Sequence, residues 1–111
     1  MKYLRNITPY TPTNVKDIVA HTGRKIASKS IIDSEYTEIR FFSFAEGEDI
    51  DKEYYEKETI FWVLEGSLKV LYNEEDEVIV NEGEMVTLET DVQYGVKALT
   101  ACKVCNILVK Y

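Results

Sequence analysis

The chain is poor in the residues that build most metal centres. Its 111 residues include one histidine, His21, and two cysteines, Cys102 and Cys105. A multi-histidine site is impossible within one such chain, which removes most zinc, copper and non-haem iron arrangements. The cysteines lie three apart in an apolar stretch. On a strand they point to opposite faces and suit neither an ordinary disulfide nor a shared metal. A Cys-x-x-Cys redox site wants a helix start after a strand, and this segment supplies none. Two small buried hydrophobes in a reducing compartment are therefore expected. Positive charge is also scarce: 13 Lys and Arg against 20 Asp and Glu leave a net charge of −7. That balance repels phosphate backbones and anionic lipid, so neither nucleic acid nor a membrane is an expected partner. The longest apolar run, Ile60 to Leu64, is far too short to span a bilayer. Met1 to Tyr10 has no continuous apolar run and does not read as a signal peptide. Two prolines and five glycines leave no Pro-rich or Gly-rich linker. A cytoplasmic, single-domain protein is expected.

The content fits that expectation. At 45% hydrophobic and 12% aromatic, the chain can bury a core without staples, and its length suits one domain. One short N-terminal helix is expected, with Thr11 or Thr13 as cap, Pro12 in the first turn, and Val15, Ile18 and Val19 on the apolar side. After Gly23 the chain reads as strands. Lys25 to Ile32 and Tyr36 to Phe44 are rich in β-branched and aromatic residues and flank the turn pair Asp33-Ser34. Glu58 to Leu64 and Ser67 to Tyr72 flank Glu65-Gly66, a tight hairpin. Val78 to Val80, Met85 to Leu88, Gln93 to Ala98 and Cys102 to Val109 complete about eight short strands. Close spacing of this kind predicts an antiparallel sandwich or barrel.

Two stretches of this sequence resemble the motifs of the cupin family. The first begins Ser43-Phe44-Ala45-Glu46-Gly47 and ends Thr59-Ile60-Phe61-Trp62-Val63-Leu64-Glu65-Gly66. The second begins Glu82-Gly83-Glu84 and continues through Met85 to Leu88. Together they cover Gly47 to Ala98, about half the chain. The resemblance implies an all-β fold, the cupin-type double-stranded β-helix (jelly-roll) barrel. One cupin domain would span residues 1–111, with 1–22 a cover segment and 23–111 the barrel. In metal-binding cupins the first motif supplies two histidines and a glutamate, and the second supplies a third histidine. Counted from the glycines, those positions here hold Glu53, Tyr55, Thr59 and Tyr94. No histidine is kept, so no metal and no other cofactor is expected. The resemblance also implies a homodimer, with the two barrels packed together.

Strand alternation puts Thr59, Phe61 and Val63 on one face and Ile60, Trp62 and Leu64 on the other. With the Thr59 face inward, as the resemblance implies, Glu53, Tyr55, Thr59, Phe61 and Tyr94 line a barrel that holds a small organic molecule. Several uses of this set stay open. The aromatics fill the interior with Glu53 in solvent, or they bind a ligand, as in a regulatory protein. Alternatively, Glu53 acts with Tyr94 or Tyr55 as a catalytic acid–base pair in a metal-independent isomerase or lyase. The segment Glu46 to Glu58 carries seven carboxylates. It lacks the residue order of a known calcium loop and is expected to be a mobile, solvated rim favouring cationic or neutral ligands. His21 is expected at the surface or at the helix end.

Overall fold

The period-two pattern produces strands wherever one side chain in two can be buried. A computed structural model describes residues 1–21, 23 and 25–110 and contains nine strands. These are β1 (Ala27–Asp33), β2 (Thr37–Phe44), β3 (Asp49–Tyr55), β4 (Glu58–Glu65), β5 (Ser67–Tyr72), β6 (Asp76–Asn81), β7 (Met85–Leu88), β8 (Val92–Ala98) and β9 (Cys102–Val109). They form two antiparallel sheets, ordered β1-β2-β9-β4-β7 and β3-β8-β5-β6. The two inner faces share one apolar core that includes Phe44, Val63, Leu68, Val70, Val96 and Val104. Each fully buried side chain of this kind contributes about 1.5–3 kcal/mol relative to exposure.

β4 shows how alternation is used. Thr59, Phe61 and Val63 are buried inward, whereas Trp62 on the other face is 41% exposed. The Thr59 face is therefore the inner one. The hairpin to β5 turns at Gly66, whose φ is +79° and where an added Cβ would lie 2.4 Å from the Ala101 carbonyl oxygen. Only glycine meets both conditions.

Two details are corrected, the cap of the helix and the acidic segment. The short N-terminal helix is present as a single 3-10 turn, Val15–Asp17. Its cap is Asn14, whose Oδ1 accepts from the Lys16 amide, while Thr11 and Thr13 donate backward to the carbonyls of Pro9 and Thr11. Ile18 and Val19 instead lie on the outer face of the five-stranded sheet against Ile31, with Ile39 and Phe41 beside them. Docking onto that face, rather than helical periodicity, decides their position. Thr22, the last residue of the expected cover segment, lies outside the described residues.

The second correction concerns the acidic segment. It is not a mobile rim over its length: residues 49–55 form β3, paired with β8. Its charged side chains remain solvated, as at Asp49, Asp51 and Glu53, while the backbone completes a ladder. Between Ile50 and Glu53 the register shifts. This irregularity presses on Gly95 of β8, where an added Cβ would lie 2.5 Å from the Ile50 carbonyl oxygen and 2.8 Å from the Lys52 amide nitrogen.

Candidate functional site

The inner face of β2 carries Arg40, Phe42 and Phe44 in succession, and these three reach a cavity between the sheets. β3 contributes Ile50 and Tyr55, β4 Phe61, β8 Tyr94, and β9 Asn106 and Leu108. The space open to the centre of a water molecule is about 50 Å³, enough for a handful of waters or one compact solute. Ring packing shapes the walls. Tyr55 and Tyr94 stack with centroids 4.3 Å apart, and Phe61 meets Tyr94 edge-on at 5.6 Å.

Of the five residues expected from the sequence, Tyr55, Phe61 and Tyr94 line this cavity. Thr59 is brought to the same place but stands behind Tyr94, its Oγ1 2.8 Å from the tyrosine hydroxyl. Glu53 is the ladder partner of Tyr94, but its side chain is exposed at the mouth, where it accepts from the Tyr55 hydroxyl at 3.4 Å. Arg40 and Asn106 escaped the sequence reading. Arg40 was legible, because it alternates with Phe42 and Phe44 in one apolar strand. Asn106 likewise alternates with Val104 and Leu108.

Burial pushes the Tyr94 phenol up to about 12; its bond to Thr59 works the other way. Tyr55 is raised by burial and by the charge and hydrogen bond of Glu53, with Arg40 opposing. Both are protonated phenols at neutral pH. The Arg40 guanidinium carbon sits 5.3 Å from the Phe42 ring centroid. Its Nε is 2.9 Å from Glu38 Oε1, yet this buried nitrogen makes no hydrogen bond. The contact is close enough for Coulomb attraction but is misaligned for an N–H donor. Glu38 is shared: its other oxygen is 3.8 Å from Lys110 Nζ, which also holds Asp33 at 3.0 Å.

The donor set does not fit a transition metal. Among the described residues, no three His, Cys, Asp or Glu side chains come together. Thr59 and Tyr94 bond each other, and ligation by Tyr94 would require a phenolate that burial disfavours. Cys102 and Cys105 are free and buried, with thiols pushed by burial up to about 11. Cys102 belongs to the inner core, whereas Cys105 borders a groove on the outer face.

A second polar constellation lies outside the barrel. His21 is exposed; its Nδ1 is 2.6 Å from Ser43 Oγ and its Nε2 is 3.3 Å from Glu65 Oε2. The residue types are those of a hydrolytic triad. Ser43, however, is 1% exposed, so its hydroxyl is out of a substrate's reach. The contact ties the N-terminal segment to β2 and β4.

Two antiparallel sheets closing over an inner cavity define a jelly-roll β-barrel. The chain has the fold of small cupin domains, which it shares with solved structures. A conserved protein of unknown function from Streptococcus pyogenes superposes with a TM-score of 0.94 at 18% identity, covering 100% of this chain and 96% of its own. A cupin superfamily protein from Desulfitobacterium hafniense gives 0.89 at 18% identity, with 96% of each chain covered. An RmlC-like cupin from Desulfovibrio desulfuricans gives 0.77 at 20% identity, covering 90% of this chain and 96% of its own. No protein-family model matches the sequence, and no functionally curated protein does. Likeness at these identities speaks for the fold alone, because one barrel hosts many activities.

Proposed function

We propose that this chain is a small-molecule-binding cupin, working without a transition metal and serving a sensory or regulatory role. The observation that carries this is the cavity itself. Arg40, Tyr55, Tyr94 and Asn106 converge inside walls of Phe42, Phe44 and Phe61, the mix of apolar lining and few polar groups that ligand pockets show. The test pairs metal analysis of purified protein with a fragment titration read on the cavity residues by NMR. Binding there with substoichiometric metal is expected. Stoichiometric iron, manganese, nickel or zinc overturns the metal-free reading, and an inert cavity overturns the binding one.

One contact favours the alternative of a metal-independent isomerase or lyase, namely the hydrogen bond from Tyr55 to Glu53. The exposure of Glu53 weighs against it, since a general base in this role works inside an apolar enclosure. If Glu53→Gln and Tyr94→Phe abolish turnover of a carbonyl or sugar-like substrate with binding kept, the enzyme reading replaces the first.

The protein is proposed to act as a cytoplasmic homodimer. Support comes from the outer face of the five-stranded sheet, where Trp62 and its cross-strand neighbour Met85 are 41% and 58% exposed. Trp62 lines an apolar groove between the sheet and the N-terminal segment, together with Ile39, Phe41 and Ile107. A second barrel packing there would remove this surface from water. A sedimentation mass of 12.8 kDa, one chain, at micromolar concentration overturns the dimer. Two free thiols suit a reducing compartment. Among the described residues, no helix is long and apolar enough to cross a membrane.

A further inference from the structure

We infer that the barrel cavity takes a small monocarboxylate, its carboxylate seated on the free edge of the Arg40 guanidinium. This rests on the reading of the barrel as a small-molecule site and names the ligand class.

An arginine on the inner face of a strand, between Glu38 and the aromatic pair Phe42 and Phe44, is placed there by charge and not by packing. Arg40 occupies that place by strand period, in line with Phe42 and Phe44. A guanidinium offers five N–H donors in a planar fork. Here Nε faces Glu38 without a hydrogen bond, and no hydrogen bond from the terminal nitrogens occurs among the described residues. Glu38 meets the guanidinium only at Nε through one oxygen, its other oxygen lying 3.8 Å from Lys110 Nζ, so it leaves the terminal nitrogens to another anion. The fork remains a charged, weakly engaged donor edge at the cavity wall, its side chain 37% exposed, where a bidentate anion can pair with it.

The other features of the pocket narrow the anion. The phenols of Tyr55 and Tyr94 are engaged with Glu53 and Thr59 and stay protonated, so they add no competing negative charge to the pocket. Phe42, Phe44 and Phe61 ask for an apolar remainder on the ligand. The cavity of about 50 Å³ holds on the order of four waters, so the ligand is a short acid and not a sugar phosphate. The acid-rich β3 at the mouth and the net charge of −7 penalise a second negative charge. They leave a monoanion as the species that Arg40 can draw inward. The expectation of a cationic or neutral ligand considered the rim without this interior cation.

The experiment is an NMR titration of the full chain with sodium butyrate, butyramide, butylammonium chloride and inorganic phosphate, read on the Val96 and Leu108 methyls. Butyrate is expected to shift both methyls and to bind at least tenfold more tightly than the other three. Arg40→Gln is expected to erase this preference, and Arg40→Lys to keep part of it while losing the paired contact. If butyramide or phosphate matches butyrate in the cavity, the carboxylate inference falls and the binding reading stands. If no probe moves these methyls, or butyrate moves only surface lysine signals, both fall. Should Arg40→Gln fail to fold, the wild-type preference and Arg40→Lys still decide the matter.

Discussion

The hydrogen bond between Thr59 and Tyr94 ties the motif strand β4 to β8 inside the core, and its removal has a calculable cost. The two oxygens are 2.8 Å apart, with Thr59 1% exposed and Tyr94 4% exposed. A buried polar group stranded without its partner costs about 1–3 kcal/mol. Tyr94→Phe strands the Thr59 hydroxyl where solvent does not reach and belongs at the upper end of that range. Thr59→Val strands the Tyr94 hydroxyl, but Tyr94 borders the cavity and can take a water there, so this variant belongs at the lower end. The double variant leaves neither group unsatisfied. It should be more stable than Tyr94→Phe alone, with a coupling of about 1–2 kcal/mol. Urea unfolding followed by far-UV circular dichroism resolves this: with a slope of about 1–3 kcal/mol/M, a 2 kcal/mol loss moves the midpoint by roughly 1 M. Additivity of the single variants within about 0.3 kcal/mol would refute the claim that this bond couples the two strands.

Gly95→Ala should push β3 outward, because the atoms facing its Cβ are backbone atoms of Ile50, Asp51 and Lys52 that cannot rotate aside. A loss of about 1–3 kcal/mol is expected, with hydrogen exchange faster in β3 than in β5; unchanged exchange in β3 contradicts the close approach. Alkaline pH should destabilise the fold in two overlapping steps. Cys102 and Cys105 move from 9.0 to about 11 and Tyr94 from 10.0 to about 12, so the unfolded chain loses these protons first. Stability is therefore full below about pH 9 and falls as pH rises toward 12. Tyr94→Phe should flatten only the part above pH 10, and an unchanged profile in that variant would count against burial as the cause. Trp62→Lys should shift the sedimentation mass from two chains to one without unfolding the barrel; a dimer that persists places the interface elsewhere.

The sequence by itself determined the all-β class, the strand alternation that points Thr59, Phe61 and Val63 inward, and the hairpin at Gly66. Each follows from local chemistry: period-two burial in one case, and a left-handed φ that glycine accepts in the other. The acidic segment differs from the expected mobile rim because its strand character is not local. Asp49 to Tyr55 has charge on nearly every exposed position, and it becomes a strand only because β8 offers a ladder and Gly95 makes room for the shifted register. The short N-terminal turn was legible, whereas its neighbours Ile18 and Val19 take their place by packing on Ile31 of the sheet. Tertiary structure alone decided the site. It set Glu53 at the exposed mouth and Thr59 behind Tyr94, and it paired Arg40 with Asn106 on neighbouring strands at one cavity. Sequence periodicity says which face a side chain takes. How far along the barrel it sits, and which strand stands opposite, depends on register and sheet closure between segments distant in the chain.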